Sequence, residues 1–204
     1  MSRSDPDTGL RVFNSIKWHS LGITRAAFLT GASPFRYIPA FNASLFLTAN
    51  ESDARESMQR GLPAGLVLDS AILDAPDDYG LRIAFDFDGV IADDSAEQVF
   101  QKEGLGAFAV SESAMADNPH NPGPLGKLLK HLGRLRSLDS KRLEADPSAR
   151  RFLEIALVTA RNSPAHHRVV TTLRDWCVEM DQAFFLGGIE KTRIIQELRP
   201  HIFS

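Results

Sequence analysis

Short apolar runs rich in β-formers and aromatic residues alternate along this chain with amphipathic stretches of roughly ten to fifteen residues. Runs at 25–29, 44–47, 65–68, 81–87, 154–158 and 182–186 predict strands, and their near-continuous apolarity suits a parallel sheet covered on both faces. Between them, Leu10, Phe13, Ile16 and Leu21 mark one helix, and residues 51–60, stopped by Gly61, mark a second. Val169, Val170, Leu173 and Trp176 mark a third, and Ile194, Ile195 and Leu198 ahead of Pro200 a fourth. Strands alternating with helices in this way are built from βαβ units, so the expected class is α/β, a Rossmann-like, mostly parallel sheet with helices on both faces.

Residues 93–151 break the alternation. They contain no convincing strand, and Asn118-Pro119-His120-Asn121-Pro122-Gly123 reads as loop punctuation. The expected organisation is therefore an α/β core of 1–92 and 152–204 with a small helical cap inserted at 93–151. The strongest helix of the insertion opens at Pro124 and places Leu125, Leu128, Leu129, Leu132 and Leu135 on one face, with Lys127, Lys130 and Arg134 largely opposite. That basic face is read as the solvated side of an amphipathic helix, ahead of a substrate-attracting role.

The chain also resembles itself. Residues 11–46 align without gaps on 168–203, with nine identities: Arg11/Arg168, Val12/Val169, Ala26/Ala183, Phe28/Phe185, Leu29/Leu186, Gly31/Gly188, Arg36/Arg193, Ile38/Ile195 and Phe46/Phe203. A one-residue shift would extend the match to Arg3/Arg161 and Pro6/Pro164. Two helix–strand–helix–strand segments share apolar periodicity in any case, so the alignment calls for a geometric test.

Composition narrows the function more than the fold. Apolar residues are 43% and charged residues 24%, as in ordinary globular domains. The net charge of −3 supplies no field for holding a nucleic-acid polymer. One cysteine, Cys177, permits no intrachain disulfide, Met1 to Pro6 lacks the apolar core of a signal peptide, and no run is long enough for a membrane span. A cytoplasmic protein without a membrane partner is expected, with homo-oligomerisation left open.

The chemistry centres on Ile83-Ala84-Phe85-Asp86-Phe87-Asp88-Gly89, an apolar strand delivering two aspartates to its carboxyl end, where open α/β sheets bind ligands. A bare D-x-D also serves as an ordinary polar strand end. Context adds Thr159, Ala160 and Arg161 at a second strand end, and Lys191 three residues beyond Gly187-Gly188 at a third. Asp86 can attack phosphorus to give an aspartyl-phosphate, while Asp88 protonates the departing alcohol and later deprotonates water. Two carboxylates facing an anionic substrate need counter-charge. Lys191 and a divalent cation, Mg2+ by its preference for hard oxygen ligands such as Asp86 and Asp88, would provide it, with Thr159 and nearby amides binding phosphoryl oxygens. The competing reading leaves Lys191 a solvated residue at a helix start.

With these residues in view, the chain resembles the haloacid dehalogenase-like phosphatases. More narrowly it resembles the cytosolic 5'-nucleotidase I family, through Phe13-Asn14-Ser15-Ile16, Thr30-Gly31 with Ser33-Pro34, the strand around Asp86-Phe87-Asp88, Leu157-Val158-Thr159-Ala160-Arg161 and Arg199-Pro200-His201-Ile202-Phe203. The resemblance implies Mg2+-dependent removal of the 5'-phosphate from nucleoside monophosphates, AMP among them. It also implies a longer N-terminal region and an acidic pair directly after the stretch matching 199–203, where this sequence reaches Ser204. The 204 residues are accordingly expected to bind Mg2+ weakly and to show little activity alone. An impaired nucleotide-binding or regulatory fragment, and a phosphatase of another small phosphate ester, are the alternatives.

Four further features carry expectations. Asp93 and Asp94 are read as helix caps, ahead of substitute metal ligands. His166 and His167 are read as exposed helix polarity, ahead of phosphate ligands, and Cys177 as a small buried hydrophobe. The segment Thr30-Gly31-Ala32-Ser33-Pro34-Phe35-Arg36-Tyr37 is read equally as a nucleoside-binding loop, through Thr30, Gly31 and Ser33, or a plain strand-to-helix turn.

Overall fold

The computed structural model describes residues 1–67 and 80–204. Its first helix, α1 (Pro6–Trp18), begins where Asp5 accepts the Thr8 amide and Pro6 supplies a first-turn residue with no amide to satisfy. A 3-10 turn at Phe35–Tyr37 leads to β1 (Phe46–Thr48), α2 (Glu51–Gln59) and β2 (Ala64–Leu66). Asn50 caps α2 by accepting the amides of Ser52 and Asp53, and β1 and β2 pair in parallel on either side of that crossover. Of the run predicted at 65–68, Leu68 lies outside the described residues. The strand predicted at 25–29 is corrected to a single parallel bridge, Ser2 to Phe28. Thr30 and Gly31, both at positive φ, turn the backbone away before a ladder can grow.

The second, larger sheet is built from β3 (Leu81–Phe85), β4 (Leu153–Thr159), β5 (Gln182–Phe185) and β6 (Ile202–Phe203), all parallel, in the order β5-β4-β3-β6. Around it run α3 (Ser95–Ala114), α4 (Gly126–Ala145), α5 (His166–Asp175) and α6 (Thr192–Leu198). Strand alternation splits the core in two. Ile83, Phe85, Ile155 and Leu157 join Leu129 and Leu132 of α4 and Val169 and Leu173 of α5 on one face. Ala84, Ala156 and Val158 meet Ile194 and Leu198 of α6 on the other. Each fully buried Leu, Ile or Phe side chain in such a core contributes about 1.5–3 kcal/mol. The α/β class with helices on both faces is thus what the apolar runs predict.

Two local expectations are revised. The buried face of α4 runs through Gly126, Leu129, Leu132, Gly133, Arg136 and Asp139, whereas Leu135 is 45% exposed. Paired charges replace leucines there: Arg136 forks onto Asp181 at 2.6–3.0 Å, and Asp139 accepts from Arg142 and from the Phe152 amide. Cys177 is exposed, not buried. It is the left-handed residue (φ 54°) that ends α5, where its amide bonds Arg174 and that of Val178 bonds Leu173, so Val178 turns inward and Cys177 outward.

The internal resemblance passes its geometric test. Under the shift that aligns 11–46 with 168–203, the left-handed residues coincide: Ser20 with Cys177, Thr30 with Gly187, Gly31 with Gly188 and Asn42 with Arg199. The hydrogen bonds coincide as well. Leu29, Thr30 and Gly31 donate to Ser2, Ser4 and Arg3, as Leu186, Gly187 and Gly188 donate to Thr159, Arg161 and Ala160. The Ser4 amide bonds Ser2 Oγ at 3.1 Å, and the Arg161 amide bonds Thr159 Oγ1 at 3.2 Å. Arg3 therefore corresponds to Ala160, which corrects the one-residue shift toward Arg161. Pairing extends the match, since Phe46 faces Ala64 as Phe203 faces Ala84.

Candidate active site

β3 carries the chain to the carboxyl edge of the larger sheet, and Asp86 follows its last residue in extended conformation. The Asp86 amide donates to the Ser204 carbonyl at 2.6 Å, and its Oδ1 accepts the Phe87 amide at 2.7 Å. A π-type turn over Phe87–Ile91 then reverses the chain, with Asp88 at its start and Gly89 at φ 70°. Nothing lies within 4 Å of a Cβ built on Gly89, so the backbone angle, not crowding, is what calls for glycine. Phe87 and Ile91 are fully buried and anchor this turn under the two carboxylates.

Neighbouring strands complete the arrangement. Thr159, 1% exposed, ends β4 and accepts the Arg161 amide with its hydroxyl. Lys191 precedes α6, after the left-handed pair Gly187 and Gly188, and its Nζ bonds Oδ2 of Asp86. Arg161 holds Asp88 side-on, Nε to Oδ2 at 2.9 Å and Nη2 to Oδ1 at 2.6 Å. The structure thus brings Asp86, Asp88, Thr159, Ala160, Arg161 and Lys191 to one end of one sheet. Among the described residues, Thr30, Gly31 and Ser33 make no hydrogen bond or ion pair with these side chains, and their loop is held by Ser2, Arg3 and Ser4.

Behind Asp88 lies a buried cluster that the sequence reading missed. Arg161, 4% exposed, also pairs through Nη1 with Glu112 of α3, which is 2% exposed. Glu112 accepts from Arg168 Nη1 at 2.8 Å and faces His120 Nε2 at 3.2 Å. Burial pushes the Glu112 carboxyl up, but the His120 hydrogen bond and the Arg161 and Arg168 partners overcome it and hold the pKa at about 2. Burial likewise works against the Arg161 charge, and Asp88 and Glu112 outweigh it, so its pKa is raised. A polar residue one helical turn from Phe108 on an otherwise apolar face was the only trace of Glu112 in the sequence.

Other singled-out residues take modest places. Asp93 accepts from Ser95 and Asn121, whereas Asp94 makes no capping hydrogen bond with its side chain. His167 is exposed, but His166 is not free polarity: its ring meets Phe185 edge-on at 5.8 Å and its Nδ1 is buried without a partner. Beside Asp88, Phe100, Leu105 and Phe108 of α3 face Asn162 and Gly188 across a cleft of about 290 Å³. Among the described residues no group of three or more His, Cys, Asp or Glu could cage a metal ion. Asp86 and Asp88 put hard carboxylate oxygens, the donor type a divalent cation takes, at one strand end, where the Phe87 amide, Lys191 and Arg161 engage them. No helix among the described residues is long and apolar enough to cross a membrane.

Comparison with known proteins identifies the family. A family model described as 5'-nucleotidase matches residues 1–204. The chain is 33% identical over 207 aligned positions to cytosolic 5'-nucleotidase 1B of Homo sapiens, an alignment that takes in all of this chain and 33% of the relative. It therefore spans about a third of the length of the curated relative it matches. No solved structure matches.

Proposed function

The chain belongs to the 5'-nucleotidase family, and from that premise we propose that its site hydrolyses nucleoside 5'-monophosphates, AMP-like substrates among them, through an aspartyl-phosphate on Asp86. The observation that carries this reading is the carboxylate of Asp86 at the end of β3 with Lys191 on one oxygen and Asp88 two residues away. Asp86 attacks phosphorus, and the bond to the nucleoside O5' breaks as Asp88 delivers a proton to that oxygen. Asp88 then takes a proton from water, which attacks the phosphoryl group and frees Asp86. Lys191 and the backbone around Thr159 and Ala160 receive the phosphoryl oxygens, and preorganised charge of this kind supplies much of such a rate enhancement.

Mg2+ would be held by Asp86 and Asp88, and when bound it neutralises charge between the carboxylates and the phosphate. The base and ribose occupy the cleft beside Asp88, where Phe100 and Phe108 offer aromatic surface. Within the 93–151 insertion, α3 serves as the cap over that cleft, while α4 serves the sheet. Phosphate release from a panel of nucleoside monophosphates, with Mg2+ and with a chelator, tests the reading. Hydrolysis that is lost in Asp86→Asn is expected, and equal hydrolysis by that variant would overturn it.

A further inference from the structure

The members of the cluster behind Asp88 come from separate elements. Arg161 follows β4, Glu112 belongs to α3, Arg168 to α5, and His120 to the loop before α4. All four are at least nine-tenths buried, and with Asp88 they form a chain of alternating charge: Asp88, Arg161, Glu112, Arg168. His120 joins the cluster through Nε2, 3.2 Å from Glu112, while its Nδ1 is buried without a partner. The Arg161 guanidinium is also confined by rings, 4.9 Å from the centroid of Phe87 and 5.3 Å from that of Phe108.

From this geometry we infer that Glu112 is a positioning residue for Asp88, acting through Arg161. An arginine has five donors in a fixed plane, and whatever fixes Nη1 also fixes the Nε and Nη2 fork that grips Asp88. Glu112 and the Ala165 carbonyl take Nη1, the latter at 3.4 Å. Without Glu112 the guanidinium keeps its pair with Asp88 but loses its far anchor, and both can swing together away from the leaving oxygen. Phe108 lies one helical turn before Glu112 and forms part of the cleft wall, so the wall and the Asp88 carboxylate are tied into one unit. Arg168 secures Glu112 in turn, with its Nε on the Asn118 carbonyl at 2.8 Å.

The inference rests on the acid–base role proposed above for Asp88, and leaving-group dependence separates the two. Proton delivery matters for a nucleoside alkoxide and hardly for p-nitrophenolate, which leaves without a proton. In Glu112→Gln, hydrolysis of the nucleoside monophosphate should fall about 10²-fold in kcat with KM within about threefold. First-turnover release of p-nitrophenol from p-nitrophenyl phosphate should stay within about threefold. Asp88→Asn should lower nucleoside monophosphate hydrolysis at least as much, and adding Glu112→Gln to it should lower that rate no further, as expected for groups acting as one unit. Because Glu112→Gln leaves Arg168 buried without its counter-charge, the double variant Glu112→Gln with Arg168→Met provides a charge-balanced partner that should show the same selectivity. Equal losses on both substrates in the folded variants, or none on either, would overturn the inference while leaving the nucleotidase reading intact. A full chain, carrying the acidic pair that the resemblance implies, that releases product from neither substrate when unmutated would overturn the reading and the inference with it.

Discussion

Lys191 Nζ rests on Oδ2 of Asp86, joining the start of α6 to the end of β3 across 105 residues of sequence. Both side chains are about a quarter exposed, and an ion pair that wet contributes about 0.2–1 kcal/mol to stability. Its value lies in charge at the phosphoryl group. Lys191→Met should leave thermal stability nearly unchanged and lower kcat/KM by about 10²–10³-fold, as removal of a transition-state charge partner does. A loss of stability without a loss of rate would return Lys191 to a structural role.

Asp86→Asn keeps the shape of the side chain and the acceptor for the Phe87 amide, but removes the nucleophilic carboxylate. The variant should fold and should give no acid-stable phosphoenzyme when quenched during turnover of a labelled monophosphate. Trapping the same adduct in that variant would place the nucleophile elsewhere.

Phe100 meets Phe108 edge-on at 6.2 Å and is 42% exposed toward the cleft, as a stacking surface should be. Phe100→Ala is expected to raise KM for a purine monophosphate about three- to tenfold, the equivalent of about 0.5–1.5 kcal/mol of aromatic contact. Ribose 5-phosphate, which has no base, should be unaffected. A matching rise for both substrates would remove the base from this cleft.

Gly123 sits where a Cβ would lie 2.2 Å from the Ala92 carbonyl oxygen and 2.8 Å from that of Val90. Neither is a flexible side-chain tip, so the loop ahead of α4 would have to lift off the turn that follows Asp88. Gly123→Ala should cost about 1–3 kcal/mol in urea denaturation, as overpacking does. An unchanged midpoint would mean that the loop relaxes freely.

Acid should weaken the protein through Glu112. Its folded pKa of about 2 lies below the ordinary 4.5, so the carboxylate's contribution is whole above about pH 4.5 and disappears as pH falls toward 2. The shift corresponds to roughly 3 kcal/mol. Denaturation midpoints of the unmutated chain should fall across that window, and Glu112→Gln, lacking the titrating group, should show a shallower decline. Parallel slopes would assign the acid sensitivity to other carboxylates.

Much of this was legible in the chain. The runs at 81–87 and 154–158 read as strands because their alternate residues face two different apolar layers, Ile83 and Phe85 toward α4 and α5, Ala84 toward α6. Asp86, Asp88, Thr159 and Lys191 were readable because strand ends converge at one edge of a parallel sheet. The run at 25–29 was misread because apolarity does not reveal that Thr30 and Gly31 turn left-handed. Cys177 was misplaced for a similar reason, since the helix C-terminus decides where its side chain points. Glu112 was invisible because its arginine partners Arg161 and Arg168 lie 49 and 56 residues away, and only folding turns a lone acid on an apolar face into the centre of a charge chain.

The duplicated segments divide the labour of the molecule unevenly. Ser2 stands where Thr159 stands, and the pairing of β1 with β2 puts Leu66 in the place of Asp86 and Pro34 in the place of Lys191. The earlier segment repeats the backbone path, down to its left-handed turns, without a carboxylate or an amine at those two positions. What the two segments share is backbone geometry alone, so the left-handed turns and strand ends are scaffolding that forms without the reactive side chains the later segment mounts on it.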